Sequence, residues 1–340
     1  MFKFIRKFFY LNSFGRTIAK RILTFSILAN NPLYRGVYMS IIKRKARELS
    51  SALPEEIDIE TTSSCNAKCI MCPRSVGRTR PAGIMDRELF YKIIDDCEKI
   101  GKKDIGLSIF GEPLVDPYFF QCLEYAKKRG FKVNFFTNGS LLNEEKAKKI
   151  LDLKCDKITF SIDGFTKEVY ESIRVGLDRD MVYKNVNQLL ELKKSLGAEL
   201  PKVDISGILM DKNKEEMEKF LEYWKSRPGI DNVLIASLRN WAGTFDETRI
   251  GRLGELSKRN IWRPPCRQLW KGLLILWDGR VSMCCDDVAE ARIVIGDLKN
   301  QSIEEVWRGR ILENLRRLHL GGKQEEIFIC KECPRITVWW

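Results

Sequence analysis

The sequence is organised around the stretch Cys65-Asn66-Ala67-Lys68-Cys69-Ile70-Met71-Cys72, hereafter the cysteine loop. Its three thiols are spaced C-x3-C-x2-C, and thiolates are the ligands that hold iron–sulfur clusters. A four-iron cluster held by three thiolates keeps one iron open to a substrate or cofactor. Zinc is the alternative, but structural zinc sites pair C-x2-C units or add histidine. The one histidine of the chain, His319, is distant in sequence, so the spacing favours iron.

The cysteine loop resembles the motif of the radical S-adenosylmethionine (SAM) enzymes. It follows a strand-like run, residues 57–60, as the equivalent loop follows the first strand in that family. The resemblance implies a [4Fe–4S] cluster on Cys65, Cys69 and Cys72, whose open iron binds the amino and carboxylate groups of SAM. It also implies cleavage of SAM to methionine and a 5′-deoxyadenosyl radical, with an electron donor such as flavodoxin or ferredoxin. Met71 stands where the family often has an aromatic residue, and we expect it to pack against the adenine.

Strand-like and helix-like segments alternate after the cysteine loop. The predicted strands are residues 56–60, 105–110, 132–137, 157–161, 203–210 and 232–238. The predicted helices are residues 86–100, 117–129, 144–153, 181–196 and 214–226. Several of the strands are almost wholly apolar, which is typical of a parallel sheet covered by helices. The sequence therefore predicts an α/β fold, a partial (β/α)6 TIM-like barrel, with its chemistry at the carboxyl ends of the strands.

Polar loops follow the predicted strands, and the family resemblance assigns SAM contacts to them. Gly111 and Glu112, after the second strand, resemble the turn that meets the SAM amino group. Asn138 follows the third strand, and Ser161 ends the fourth, where a hydroxyl often meets the SAM carboxylate or ribose. Arg174 stands where the family often has an arginine that binds a carboxylate, a group that a planar guanidinium suits. Without the resemblance, a turn glycine, a capping serine or a solvated arginine explains each residue equally well.

A second set of cysteines lies in the last quarter of the chain: Cys266, Cys284, Cys330 and Cys333. Residues 272–283 contain an Asp-Gly turn and predict a β-hairpin that would bring the first two together. Four thiolates suit either zinc or an iron–sulfur cluster. The layout resembles the auxiliary-cluster module called twitch, which is related to the longer SPASM module. We expect a small hairpin-plus-helix domain with one auxiliary [4Fe–4S] cluster, because seven residues follow the last cysteine.

The resemblance also bears on the reaction. A cluster with four protein ligands has no open iron and can only transfer electrons, which favours oxidation of the substrate. The layout is nearest to enzymes of aminocyclitol antibiotic pathways, so we expect dehydrogenation of a sugar, cyclitol or lipid-linked glycan intermediate. Cys285 is a core thiol, an alternative ligand, or a catalytic hydrogen donor that would make the protein a radical epimerase. The same residues also fit a peptide-modifying maturase or a non-enzymatic iron–sulfur electron carrier.

The basic charge of the chain is concentrated near its start. The net charge is +13, and residues 1–52 contain eleven lysines and arginines against one acid. The remainder is nearly balanced, so we expect no nucleic-acid partner. The apolar run 22–29 is too short to span a bilayer. Two interpretations are open: the segment is a basic amphipathic helix that lies on an anionic membrane surface, or it is one that packs on the protein itself.

These observations predict three parts: a basic amphipathic segment (1–52), a radical SAM core (53–245), and a linker with the auxiliary domain (246–340). The remaining cysteines, Cys97, Cys122 and Cys155, fall in helix-like or buried-looking segments, and we expect them in the core. Reduced thiols and cluster ligands indicate the cytoplasm, with peripheral contact to the inner face of the membrane if the first segment binds it.

Overall fold

The computed structural model describes residues 31–77, 79–243, 262–331, 333 and 339. Its strands are β1 (Glu56–Ile59), β2 (Asp104–Gly106), β3 (Lys132–Thr137), β4 (Lys157–Ser161), β5 (Lys202–Leu209), β6 (Asn232–Ser237), β7 (Gly272–Ile275), β8 (Arg280–Ser282) and β9 (Val294–Asp297). Its helices are α1 (Pro32–Ser51), α2 (Arg87–Lys99), α3 (Phe119–Lys128), α4 (Glu144–Asp152), α5 (Lys167–Ile173), α6 (Arg179–Ser195), α7 (Met217–Lys225), α8 (Ile303–Trp307), α9 (Arg310–Leu320) and α10 (Phe328–Lys331).

The described strands form one sheet in the order β6-β5-β4-β3-β2-β1-β7-β8-β9. Strands β1 to β6 pair in parallel, each with its neighbour in sequence, which confirms the predicted partial barrel. The predicted hairpin is also present, as antiparallel β7 and β8. Strand β7 pairs in parallel with β1, from Glu56 opposite Gly272 to Ile59 opposite Ile275. The hairpin therefore extends the barrel sheet instead of forming a sheet of its own.

The two faces of the barrel sheet differ in polarity. Outward-facing residues such as Val133, Phe135 and Ile158 are buried under the helices. On the inner face, the register aligns one row of residues across five strands: Asp58, Gly106, Asn134, Lys157 and Lys202. A second row comprises Phe136, Thr159, Asp204 and Asn232. Most residues of these two rows are polar, and Phe136 is the apolar exception among them.

Helix α1 packs on the protein through one face. Asn31 caps it by accepting hydrogen bonds from two backbone amides, and Tyr38, Ile42 and Ala46 are buried. This part of the basic segment therefore follows the packed interpretation, whereas residues 1–30 lie outside the described residues. The outer side of α1 carries three exposed cations, Lys43, Arg44 and Arg47, hereafter the basic face. Each helix in the described part of the chain is too short or too polar to cross a membrane.

A buried ion pair joins the end of β1 to the C-terminal hairpin. Arg80 Nη2 donates to both carboxylate oxygens of Glu60, at 2.5 and 2.6 Å. The carboxylate also accepts the Trp277 amide, 3.0 Å away. Arg80 in turn donates its Nε to the Val288 carbonyl and its amide to the Ala289 carbonyl, both at 2.8 Å. Five polar contacts thus connect the strand that precedes the cysteine loop to the region of the second cysteine set.

The scattered cysteines lie in the core, as the sequence predicts. Cys97, Cys122 and Cys155 are at most 3% exposed and lie within the main apolar cluster. Desolvation raises the pKa of each thiol to about 12, so these cysteines stay neutral. The strand predicted at 105–110 is wrong at its end, because β2 stops at Gly106 and the chain turns towards the cysteine loop.

Candidate active site and auxiliary cluster site

The cysteine loop follows β1 and is held at the carboxyl end of the sheet by main-chain hydrogen bonds. The Lys68 amide donates to the Val175 carbonyl and the Ile70 amide to the Ile173 carbonyl, both at 2.9 Å. These bonds attach the loop to the end of α5. The loop therefore stands where active sites of parallel α/β barrels lie.

The three thiols of the cysteine loop lie in a buried setting with nearby cations. Burial raises the pKa of Cys65 and Cys69, and raises that of Cys72 to about 12. The guanidinium of Arg174 lies 3.9 Å from Cys69 Sγ and opposes this rise. Neutral buried thiols lose their protons when they bind metal, so iron would replace three protons here. A set of three soft sulfur donors with an adjacent cation fits a cluster that also takes an anionic ligand.

Gly111 packs directly against the segment that leads into the cysteine loop. A Cβ atom at this position would lie 2.2 Å from the Thr62 carbonyl oxygen and 2.7 Å from that of Ser64. The amide of the next residue, Glu112, donates to the same Ser64 carbonyl at 2.8 Å. Close backbone approach therefore explains the glycine in this structure, and its predicted contact with SAM stays a prediction.

Glu112 is buried and its carboxylate connects two loops of the site. It accepts hydrogen bonds from Thr137 Oγ1 at 2.7 Å, the Asn138 amide at 2.6 Å and the Leu114 amide at 3.1 Å. Burial raises the pKa of Glu112, while these bonds and the charge of Arg174 oppose the rise. A carboxylate offers about four acceptor positions. These three bonds from described residues therefore use three of the acceptor positions of Glu112.

Asn138 belongs to a hydrogen-bonded group that reaches the cysteine loop. Its side-chain amide donates to Asn66 Oδ1 at 2.9 Å, and Asn66 donates to Ser140 Oγ at 2.8 Å. Ser140 Oγ donates back to Asn138 Oδ1 at 2.7 Å. Sequence reasoning missed Asn66, although an amide side chain inside a ligand loop is a usable signal. The group fixes the position of the residue next to Cys65.

Arg174 is fixed by Asp163, which precedes Gly164 in a pair typical of turns. Its Nε and Nη2 atoms lie 2.7 and 2.6 Å from one Asp163 oxygen, and the other oxygen accepts the Ile208 amide. The remaining amino group, Nη1, points towards Cys69. Ser161 is half-buried at the end of β4, opposite Ser206 of β5. Glu112, Arg174 and the cysteine loop are thus close neighbours, with Ser161 on the same end of the sheet.

A second apolar cluster lies between the two cysteine sets. It contains Phe110, Leu274 and Leu276, and both Cys72 and Cys285 pack against it. Trp241 extends this cluster, with its ring 5.9 Å from that of Phe110 and its Nε1 donating to the Met71 carbonyl at 3.0 Å. Three further residues complete it: Val288, Ala289 and Ala291. The side chain of Met71 is buried, and sequence reasoning gave no role to Trp241.

The second cysteine set converges on one pocket. Cys266, Cys284, Cys330 and Cys333 all line it, together with His319. Burial raises the pKa of Cys284 well above its usual value and that of Cys330 to about 12. Elsewhere around the pocket, Arg263 donates to the carbonyls of Cys330 and Cys333, at 2.8 and 2.7 Å, and so fixes the C-x2-C turn. Four thiols around one pocket fit a fully ligated auxiliary cluster.

Cys285 belongs to a different environment from its neighbour Cys284. Its thiol lies 3.6 Å from Arg239 Nη1, and the same guanidinium nitrogen is 3.4 Å from an Asp286 oxygen. The Cys285 side chain also packs against the second apolar cluster. Arg239 follows β6, two residues after the strand ends. The site therefore offers a cation beside Cys285 at the carboxyl end of the sheet.

Comparison with protein families agrees with this geometry. The family described as the radical SAM superfamily matches residues 59–224. The family described as an iron–sulfur cluster-binding domain, SPASM, matches residues 266–334. The protein therefore uses a [4Fe–4S] cluster with SAM, and its C-terminal part holds an auxiliary iron–sulfur cluster. Zinc, the alternative for the second cysteine set, is not what this domain binds.

The chain is also similar to individual proteins, one by sequence and two by fold. The tungsten-containing aldehyde ferredoxin oxidoreductase cofactor-modifying protein of Pyrococcus furiosus is 30% identical over 284 residues, 73% of this chain and 79% of the relative. The crystal structure of BtrN in complex with AdoMet and 2-DOIA superposes with a TM-score of 0.59 at 17% identity, covering 85% of this chain and 96% of BtrN. Streptococcus suis SuiB bound to its precursor peptide SuiA has a TM-score of 0.64 at 13% identity, covering 84% and 72%. The chain belongs to the radical SAM superfamily and combines the radical SAM fold with a C-terminal iron–sulfur cluster-binding domain.

Proposed function

We propose that the protein is a radical SAM oxidoreductase that dehydrogenates a hydrophilic small molecule, namely a sugar, a cyclitol or a lipid-linked glycan intermediate. The observation that carries this proposal is the pocket onto which Cys266, Cys284, Cys330 and Cys333 converge, because a cluster with four thiolates has no open iron and suits a one-electron acceptor. The hydrophilic substrate class is supported by the Arg239 guanidinium, which follows β6 at the carboxyl end of the sheet and lies 3.4 Å from an Asp286 oxygen. A guanidinium and a carboxylate can donate to and accept from the hydroxyl groups of a polyol.

The arrangement at the carboxyl end of the sheet supports specific roles. We assign the radical-forming cluster to Cys65, Cys69 and Cys72, and the SAM carboxylate to Arg174. The carboxylate of Glu112 suits the SAM ammonium. When bound, SAM and its cluster supply a hydrogen-abstracting radical, and the auxiliary cluster supplies a one-electron acceptor. Asn138, Ser161, Gly111 and Met71 then shape the SAM pocket: Asn138 through its bond to Asn66, the others by position.

Dehydrogenation removes two hydrogens from the substrate. One leaves as an atom that ends on 5′-deoxyadenosine, and the other leaves as a proton that water accepts, while its electron passes to the one-electron acceptor. The surroundings of Cys285 support this outcome over epimerisation. Its side chain packs against the second apolar cluster, and we therefore assign it a packing role in the wall between the two cysteine sets.

The experiment uses the reduced, reconstituted full chain with SAM and a panel of sugars, cyclitols and peptides in heavy water. The expected result is 5′-deoxyadenosine formed together with a sugar or cyclitol product two mass units lighter and free of solvent deuterium. One deuterium on carbon with unchanged mass otherwise would show epimerisation. Turnover of peptides alone would show a maturase, of which SuiB with its precursor peptide is a structural neighbour. Absence of 5′-deoxyadenosine with every substrate would show an electron carrier.

Two interactions complete the proposal. We expect a flavodoxin or ferredoxin to supply the electron, because SAM cleavage consumes one at the cluster. We also propose that the basic face of α1 meets an anionic membrane surface. Leu33 and Val37 are exposed on the same helix, 82% and 60% respectively, so apolar and cationic side chains are presented together.

A further inference from the structure

We propose that His319 donates a hydrogen bond to the sulfur of Cys330 and thereby raises the reduction potential of the auxiliary cluster. The inference rests on the proposed assignment of Cys330 as a ligand of that cluster. It is independent of the substrate, because the potential is a property of the resting protein. His319 is the one histidine of the chain.

The geometry determines which ring nitrogen carries the proton. The Cys266 amide donates to His319 Nδ1 at 3.2 Å. A backbone amide is a donor only, so Nδ1 has to accept and carries no hydrogen of its own. The proton of the neutral ring therefore lies on Nε2. This nitrogen is 3.6 Å from Cys330 Sγ, which is within hydrogen-bond distance for a sulfur acceptor.

The fold holds the ring rigidly in this orientation. His319 lies in the last turn of α9 on the same buried face as Leu312 and Leu315, and is 3% exposed. An imidazole at a position that suits leucine costs free energy unless both nitrogens are satisfied. Here Nδ1 accepts from the backbone amide of Cys266, and Nε2 lies next to the thiol of Cys330. The ring thus bridges the first and third cysteines of the auxiliary site.

The direction of the effect follows from charge. Reduction adds one negative charge to a cluster and its thiolates, so an N–H donor stabilises the reduced state more than the oxidised state. Hydrogen bonds to the ligating sulfurs are one of the means by which proteins set cluster potentials. Loss of the donor should therefore lower the potential and make the auxiliary cluster a weaker electron acceptor.

Two substitutions separate this donor role from a merely structural one. In His319→Asn, the side-chain oxygen can take the place of Nδ1 and accept the Cys266 amide, but nothing reaches Cys330. In His319→Gln, the longer amide places an N–H near the position of Nε2, but the acceptor for Cys266 is lost. If His319 acts as a donor, His319→Asn should change the reduction potential and His319→Gln should keep it close to that of the wild type. If His319 is only structural, His319→Gln should change the potential more than His319→Asn does.

The measurement is a redox titration of the full-length, untagged holoenzyme without substrate, followed by electron paramagnetic resonance. A variant with all three cysteines of the cysteine loop replaced by alanine identifies the auxiliary signal. We expect His319→Asn to make reduction about tenfold less favourable, which lowers a one-electron potential by about 59 mV. His319→Gln should stay within about threefold of the wild type. An unchanged potential in His319→Asn, or a larger change in His319→Gln, would overturn the proposal.

A second measurement does not depend on either variant. Labelling histidine with 15N places the label at His319 alone, because the untagged chain has no other histidine. Pulsed electron paramagnetic resonance on the reduced auxiliary cluster should then show a weak coupling of the cluster spin to the 15N nucleus and to an exchangeable proton. A strong coupling, typical of a nitrogen bound to iron, would overturn the donor role and make His319 a ligand. The absence of any coupling would overturn it as well.

Discussion

The buried ion pair between Glu60 and Arg80 leads to a quantitative prediction. Replacing Arg80 by methionine removes the two bonds to Glu60 and the bond from Nε to Val288. The Glu60 side chain is 0% exposed, and among the described residues the Trp277 amide would still donate to it. Breaking a buried pair by removing one member costs about 3–5 kcal/mol, because the other charge stays buried without compensation.

The assay is thermal unfolding of the holoenzyme, compared side by side for wild type and variants. A loss of about 3–5 kcal/mol should lower the melting temperature by about 4–7 °C, because the entropy of unfolding grows with chain length. The control is the double variant Arg80→Met with Glu60→Gln, in which no charge is buried and the amide oxygen still accepts from Trp277. It should recover at least half of the loss. A single variant within about 2 °C of the wild type, or a double variant as unstable as the single one, would refute the reasoning.

The same pair predicts a pH dependence. Burial already raises the pKa of Glu60 in the native protein, and the charge of Arg80 opposes that rise. In Arg80→Met the pKa should rise further. An acid whose pKa is higher in the folded than in the unfolded state loses stability as pH rises above its unfolded value, roughly 4.3. The melting temperature of Arg80→Met should therefore fall more at pH 8 than at pH 5.5, and an equal loss at both would contradict the assignment of the cost to Glu60.

Four further changes test the two cysteine regions, Gly111 and the basic face of α1. Replacing the three cysteines of the cysteine loop by alanine should remove about four irons and all 5′-deoxyadenosine formation while the auxiliary absorbance persists; any SAM cleavage would contradict the cluster assignment. Cys285→Ala should keep turnover within about tenfold, about 1.4 kcal/mol, and turnover lost together with deuterium incorporation would favour epimerisation. Gly111→Ala should lower the iron content because its Cβ would meet a carbonyl 2.2 Å away, whereas Gly36→Ala, which has open space, should not; equal iron contents would refute this. Charge reversal of the basic face should abolish sedimentation with anionic liposomes, and unchanged sedimentation would refute membrane binding.

Local patterns in the sequence predict most of the barrel. Strands β3 and β4 have the bounds predicted from the sequence, 132–137 and 157–161, since a turn-forming pair, Asn138-Gly139 or Asp163-Gly164, follows each of them closely. The second strand was predicted too long because Leu107, Ile109 and Phe110 are apolar, although they pack in apolar clusters beyond the end of the strand. The chain has already left the sheet there, and Phe110 fills the second apolar cluster. Short helix α5 was missed since its seven residues follow a turn and carry no long periodic pattern.

The candidate site was predictable where family motifs mark it and hidden where only the fold creates it. The cysteine loop, Glu112 and Arg174 lie together at one end of the sheet, as the order of their loops indicates. Asp163 looked like turn chemistry, yet its carboxylate orients Arg174. His319 gave no local signal, because its meaning depends on cysteines more than fifty residues away and eleven residues away along the chain. Contacts of this kind appear only once the helices are packed.

The pairing of β1 with β7 has a consequence for biosynthesis. Glu56 and its partner Gly272 are separated by more than two hundred residues, so β1 leaves the ribosome long before its second neighbour exists. At roughly 5–20 residues per second, its edge stays uncovered for about 10–40 s. An open strand edge invites pairing with another chain, and charged side chains are a common defence. Acidic residues alternate along this strand and just past its end, as Glu56, Asp58 and Glu60. The nascent barrel therefore carries a negatively charged edge until the C-terminal hairpin closes it.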